Sequence, residues 1–137
     1  GLFESLFPPI AFDISLEILQ MDDYVREVRG QLSQQWPDVK MVTFGHLGDG
    51  NIHLGISVGS MVPEAVHAVE TIVYEELGRR GGVISAEHGI GLAKRAFLGQ
   101  SRSAEEIALM RTIKTALDPK NILNPGKILE VTSQEQP

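Results

Sequence analysis

The chain has 137 residues, 42% of them hydrophobic and 22% charged, with a formal net charge of -6. That length makes one domain with a core of its own, and an acidic chain without a basic stripe is poorly suited to gripping a phosphate backbone, so nucleic acid is excluded as an expected partner. The absence of cysteine rules out disulfides, thiolate metal sites and a cysteine nucleophile; without a membrane-length apolar run or a secretion-signal pattern, a soluble, cytoplasmic protein is expected.

Residues 1–9, with Phe3, Phe7 and the Pro8-Pro9 pair, read as an extended lead-in, because proline fixes φ and bars a helix before it. Ile10 to Leu16 alternates, with Phe12, Ile14 and Leu16 on one side, and predicts a first strand. Met21, Val25, Val28 and Leu32 then fall at helical spacing, with Asp22 and Asp23 in the first turn where the helix dipole favours anions, and Trp36-Pro37-Asp38 ends that helix. Val39 to Gly45 and Ile52 to Val58 are apolar, β-branched runs on either side of a glycine-rich turn, the pattern of a hairpin. Ser60 to Leu77 predicts a second amphipathic helix. Its buried stripe is Val62, Val66, Val69, Ile72, Val73 and Leu77, Pro63 lies near its start, and residues 78–82 stop it.

Val83 to Ala86 predicts a short fourth strand and Leu92 to Leu98 a short helix. A third long helix follows, opened by a Ser103/Glu106 capping box and given a face by Ile107, Met110, Ile113 and Leu117. Asp118-Pro119 closes it, leaving an ordered loop over 121–128 and a polar tail over 130–137. Residues 10–129 thus make one α+β domain of ferredoxin-like split βαβ type (βαββαβ): an antiparallel sheet with helices on one face, plus C-terminal helices. With strands one and three running one way and two and four the other, the end of two, the start of three and the end of four would share one edge.

That edge would gather the chemistry. Gly45-His46-Leu47-Gly48-Asp49-Gly50-Asn51-Ile52-His53 and Ser85-Ala86-Glu87-His88-Gly89-Ile90-Gly91 hold three of the four histidines. A hairpin would set His46 and His53 on opposing strands with side chains roughly 5 Å apart, close enough to share an ion. Two imidazoles and the Glu87 carboxylate suit zinc or another divalent first-row ion with one position left for substrate. His88 is then free as a general acid or base, since imidazole titrates near neutrality. Gly48, Gly50, Gly89 and Gly91 allow tight turns and close approach, while Asp49 and Asn51 suit the turn and could orient a ligating histidine. Taken singly, each feature has a plainer reading: histidines flanking a turn are more often hydrogen-bonding strand residues than ligands. His67, beside Glu64 and Glu70, reads as a solvated helix residue, and Met21, Met41 and Met110 as core.

These two segments, with Asn124-Pro125-Gly126-Lys127, resemble the C-terminal portion of the FAD-linked D-2-hydroxy acid dehydrogenases, a family that includes D-lactate dehydrogenases, the flavin subunit of glycolate oxidase and D-2-hydroxyglutarate dehydrogenase. The likeness runs from about Asp13 to Leu129. It implies that His46, His53 and Glu87 hold a divalent metal, expected to be zinc, that His88 takes the hydroxyl proton of a 2-hydroxy acid while the C2 hydrogen passes to FAD, and that Asn124 lies against the flavin. Ala11, Glu17 and Gly55 depart from the lysine, proline and asparagine often found in such enzymes. The resemblance also implies an N-terminal FAD-binding domain as partner, absent from these residues, so that this chain alone is expected to be inactive; a homodimer is compatible with it, and the electron acceptor is left open. Two other readings are a non-catalytic split βαβ module that binds a metal or small molecule, and a metal-assisted hydrolase using His88. An apolar surface patch, where a flavin domain would dock, separates the first reading from a free-standing module.

Overall fold

The computed structural model describes residues 8–130. The lead-in, apart from Pro8 and Pro9, and the tail, apart from Glu130, lie outside the described residues. The chain forms β1 (Ile10–Ser15), a 3-10 turn (Ile18–Gln20), α1 (Met21–Gln35), β2 (Lys40–His46), β3 (Asn51–Ser57), α2 (Pro63–Arg79), a 3-10 segment (Arg95–Gln100) and α3 (Ala104–Leu117). No helix among the described residues is long and apolar enough to cross a membrane.

The sheet has the order β1-β3-β2, with both pairings antiparallel. Strands one and three therefore run in opposite directions, not together as expected. The reason is the crossover: α1 returns the chain so that β2 runs the same way as β1, and the hairpin then lays β3 back between them. The fourth strand is a further correction. Val83 bridges Ser15, exchanging two backbone hydrogen bonds of 3.0 and 2.7 Å, and Ala86 N–H reaches the Asp13 carbonyl at 3.3 Å, but no ladder forms. The chain is drawn off the sheet there because the Asp13 carboxylate captures the next two amides, Glu87 and His88.

Alternation along the strands gives the sheet two unlike faces. Ile10, Phe12 and Ile14 of β1 and Ile52, Leu54 and Ile56 of β3 are buried in one core with Val28 and Leu32 of α1 and Val69, Val73 and Leu77 of α2. Tyr24 is also fully buried, and its hydroxyl donates to the Val73 carbonyl at 3.1 Å, tying α1 to α2. Val25, expected in the stripe of α1, is only half-buried. Val62 is the exposed N-cap of α2 rather than part of its stripe, and Tyr74 and Glu76 are buried instead. The buried Glu76 carboxylate is matched by Arg79 at 3.0 Å and Arg80 at 2.8 Å.

The third helix departs most from expectation. Its capping box forms, but none of its residues is buried. Leu109, Ile113 and Leu117, four residues apart and so on one stripe of the helix, are 60%, 50% and 79% exposed. Ile122 and Leu123 on the following loop are exposed as well. That loop is nevertheless ordered by Asp118, whose carboxylate accepts the backbone N–H groups of Ile122 (3.0 Å) and Leu123 (2.9 Å) and pairs with Lys114. The Lys114 ammonium, with those two amides, holds the Asp118 carboxyl below its ordinary value.

Candidate active site

The open face of the sheet carries the functional side chains in rows. Ala11, Gly55 and Val42 are in register, then Asp13, His53 and Phe44, then Ser15, Asn51 and His46. His46 is thus opposite Asn51, not His53; the two histidines lie diagonally, with ring centroids 6.5 Å apart. Phe44 stacks on the His53 ring at 5.2 Å. Gly45 makes this corner buildable. At its φ of +151°, a Cβ would fall 2.5 Å from the Asn51 carbonyl oxygen, so only glycine lets β2 approach β3 closely enough to deliver His46. Of the glycines expected to relax the turns, Gly50, Gly89 and Gly91 adopt positive φ and Gly48 does not.

Asp13 is the hub. Its carboxylate is 2% exposed, and Oδ2 accepts the backbone N–H groups of Glu87 (2.9 Å) and His88 (2.8 Å), fixing the backbone of the Ser85–Gly91 loop over the sheet. The same oxygen lies 3.5 Å from His88 Nδ1, and Oδ1 lies 4.0 Å from His53 Nδ1. Burial alone would push the Asp13 carboxyl up; the two amides, the Lys94 ammonium and His88 outweigh it and hold it below its ordinary value. Ser85 Oγ donates to the Gly89 carbonyl at 3.0 Å and accepts from Lys94 Nζ at 2.9 Å, closing the loop on itself.

His46, His53 and Glu87 come together: one ligand atom from each lies within 4.8 Å of the others. Ligands about 2.1 Å from a shared ion sit at most about 4.2 Å from one another, so a small inward movement of exposed His46 and Glu87 would complete three bonds. The surroundings fit such an ion. Asn51 Nδ2 donates to Glu87 Oε1, steadying that carboxylate. Among the described residues Asp13 Oδ1 is buried without a hydrogen-bond partner and lies 4.0 Å from His53 Nδ1, so a closure of about 1 Å would let a proton on that nitrogen reach the oxygen and leave Nε2 as the ligand atom. His88 stands apart from the three. Its side chain is 67% exposed, its ring lies 6.0 Å from that of His53, and Asp13 turns its Nδ1 inward so that Nε2 faces outward.

Beside these groups the sheet face opens into a cleft of about 440 Å³, bounded by Asp13, His53, His88 and Lys94 at one end and by apolar side chains of β1, β2 and β3. Lys94 is half-buried; burial pulls its ammonium below the ordinary value, against the opposing pull of Asp13. Asn124 lies on an exposed loop, outside the cluster, with φ of 48°. The loop is pinned beside the Glu87–Gly91 segment, since Arg95 donates to the Gly126 carbonyl at 2.6 Å and Ile128 N–H to the Gly91 carbonyl at 2.8 Å.

Asp13 and Lys94 escaped sequence reasoning as site residues. Asp13 left one signal, a lone carboxylate within an otherwise apolar strand. Lys94 left none, because a lysine nine residues beyond Ser85 has no spacing that marks it.

Residues 4–128 match the family model described as FAD linked oxidases, C-terminal domain. The chain belongs to that family. It is 42% identical to D-2-hydroxyglutarate dehydrogenase of Xanthomonas citri pv. viticola over 95% of its own length and 29% of the relative's. It is 38% identical to the protein of the same name from Stutzerimonas stutzeri (90% and 28%) and 45% identical to the mitochondrial D-2-hydroxyglutarate dehydrogenase of Danio rerio (86% and 22%). The chain therefore spans less than a third of the length of these relatives.

Proposed function

We propose that the protein containing this domain is a flavin-dependent oxidoreductase that converts a D-2-hydroxy acid to the 2-oxo acid. The observation that carries the reading is the meeting, on one sheet face, of a three-residue metal-ligand set with a histidine held by a buried carboxylate. When bound by His46, His53 and Glu87, a divalent ion, zinc being the best match to two imidazoles and a carboxylate, supplies a Lewis acid that makes the substrate hydroxyl more acidic. The family's FAD supplies the acceptor for the C2 hydrogen and its electron pair, with Asn124 as its contact on this domain.

The chain's own residues do the rest. His88 Nε2 takes the hydroxyl proton, and Asp13 keeps the ring oriented and stabilises the imidazolium that results. Lys94 offers a cation for the substrate carboxylate at the end of the cleft where the proton is taken. The uncovered stripe of Leu109, Ile113 and Leu117 favours this reading over a free-standing metal-binding module, because such a stripe needs a covering surface and a flavin domain provides one. Anaerobic rapid mixing of the flavin-loaded full-length protein with substrate tests the proposal. His88→Ala should slow flavin reduction by about 10²- to 10⁴-fold while leaving bound metal unchanged. An undiminished rate would remove His88 from the mechanism.

A further inference from the structure

We infer that Arg95 is a positioning residue: it clasps the Asn124–Lys127 turn to the loop carrying Glu87 and His88, so that what seats on the turn is held at a fixed distance from the proton-taking histidine. The inference rests on the flavin reading above, in which Asn124 is the cofactor's contact on this domain, and adds the part of the chain that sets hydrogen donor against acceptor. The turn is built from local chemistry. Pro125 and Gly126 occupy its centre, Gly126 at φ of +72°, and Lys127 N–H closes it on the Asn124 carbonyl at 3.2 Å, the pattern of a type II turn. Asn124 and Pro125 are left exposed.

The other side of the turn is tied down. Arg95 Nη1 donates to the Gly126 carbonyl at 2.6 Å and Nη2 reaches Glu130 Oε1 at 2.6 Å, so one guanidinium spans the segment, a geometry that its planar fork provides. Ile128 N–H donates to the Gly91 carbonyl at 2.8 Å, and Leu129 N–H turns back to the Lys127 carbonyl at 2.8 Å. Between these bonds Ile128 has φ of +68°, a strained γ-turn and a rare conformation for a β-branched residue. Such strain persists where the surroundings over-determine it, here through the Gly91 carbonyl and the buried Leu129 side chain. Lys94, one residue before Arg95, donates to Ser85 Oγ at 2.9 Å, at the opposite end of the Ser85–Gly91 loop. Adjacent cations thus hold the Glu87 and His88 loop and the Asn124 turn from one short stretch of backbone. Arg95 is not one of the three metal ligands and does not line the cleft beside them. Its tie therefore acts on the distance across which the C2 hydrogen passes, and a misplacement of about 1 Å there costs about a hundredfold in rate.

The test uses the flavin-loaded full-length protein with bound zinc, mixed anaerobically with D-lactate, D-2-hydroxybutyrate, D-malate and D-2-hydroxyglutarate, the fastest of them serving as probe. Arg95→Gln should lower the saturating rate of flavin reduction by about 10- to 100-fold. Bound zinc, and the affinity for the matching 2-oxo acid read from its perturbation of the flavin spectrum, should change less than about twofold. Gly126→Ala, which sets a Cβ 3.4 Å from Arg95 Nη1 at a positive φ, should slow reduction in the same way from the other side. The double variant should be no slower than the slower single, because both open one clasp. An unchanged rate in Arg95→Gln, or a loss of zinc or of 2-oxo acid affinity as large as the loss of rate, would overturn the inference and leave the proposed function standing. Single losses that multiply in the double variant would overturn it as well. If dithionite reduces the wild-type flavin but none of the four acids does, the proposed function fails and the inference fails with it.

Discussion

The two faces of the sheet use the same strands for opposite ends. On the helix-covered face, Phe12, Ile14, Ile52, Leu54 and Ile56 are nearly sealed from water and hold the domain together. One residue along, on the open face, Asp13 and Asn51 hydrogen-bond to the loop that carries Glu87 and His88, and His53 and His46 stand in register beside them. A period of two thus separates stability from chemistry within strands of six and seven residues. The corollary is that substitutions one position apart should fail in different ways.

The largest expected effect lies on the covered face. Leu54→Ala should cost about 2–5 kcal/mol in chemical denaturation, since Leu54 is 1% exposed among packed neighbours; a loss below about 1 kcal/mol would break the contrast. Asp13→Ala should cost about 1–3 kcal/mol by orphaning the Glu87 and His88 amides. Unlike Leu54→Ala, it should also weaken metal affinity about 10- to 100-fold in protein that is still folded, because it frees the loop carrying Glu87. Faster hydrogen exchange confined to those two amides would sharpen the point. Tyr24→Phe, which deletes the hydroxyl bonded to the Val73 carbonyl, should cost about 0.5–1.5 kcal/mol and leave metal affinity unchanged.

The smallest effect depends on pH. The Asp118 carboxyl is held below its ordinary value of 3.8 in the folded chain, so the ionised form is favoured by folding. Its contribution is complete above about 3.8 and is lost as pH falls through the lower folded value. The Ile122 and Leu123 amide resonances should therefore move together below pH of about 3.8, and Asp118→Asn should abolish the transition.

Much of the fold was legible because its signals are local. Alternation at Phe12 and Ile14, helical spacing at Val28 and Leu32, and the Ser103/Glu106 box each specify their own neighbourhood. The metal-ligand candidates were legible for the same reason: His46 and His53 frame one turn, and Glu87 and His88 are adjacent. Strand direction was misread because it depends on the crossover through α1, which no residue pattern encodes. The fourth strand was lost to a tertiary contact, as the carboxylate of Asp13, 74 residues away in sequence, takes the amide of Glu87. The face of α3 was read correctly as apolar, but Ile107 and Met110 on it are only half-buried and Ile113 and Leu117 are exposed, since periodicity tells which face is apolar and not what packs on it.

The central claim is that His46, His53 and Glu87 form one metal site prepared by the sheet. A calorimetric titration of the chain with zinc, beside Glu87→Ala, tests it most directly. One ion bound per chain, with affinity falling about a hundredfold or more in the variant while thermal stability without metal stays within about 0.5 kcal/mol, is the predicted result. Equal affinity in the two proteins would contradict it and return the histidines to the role of ordinary strand residues.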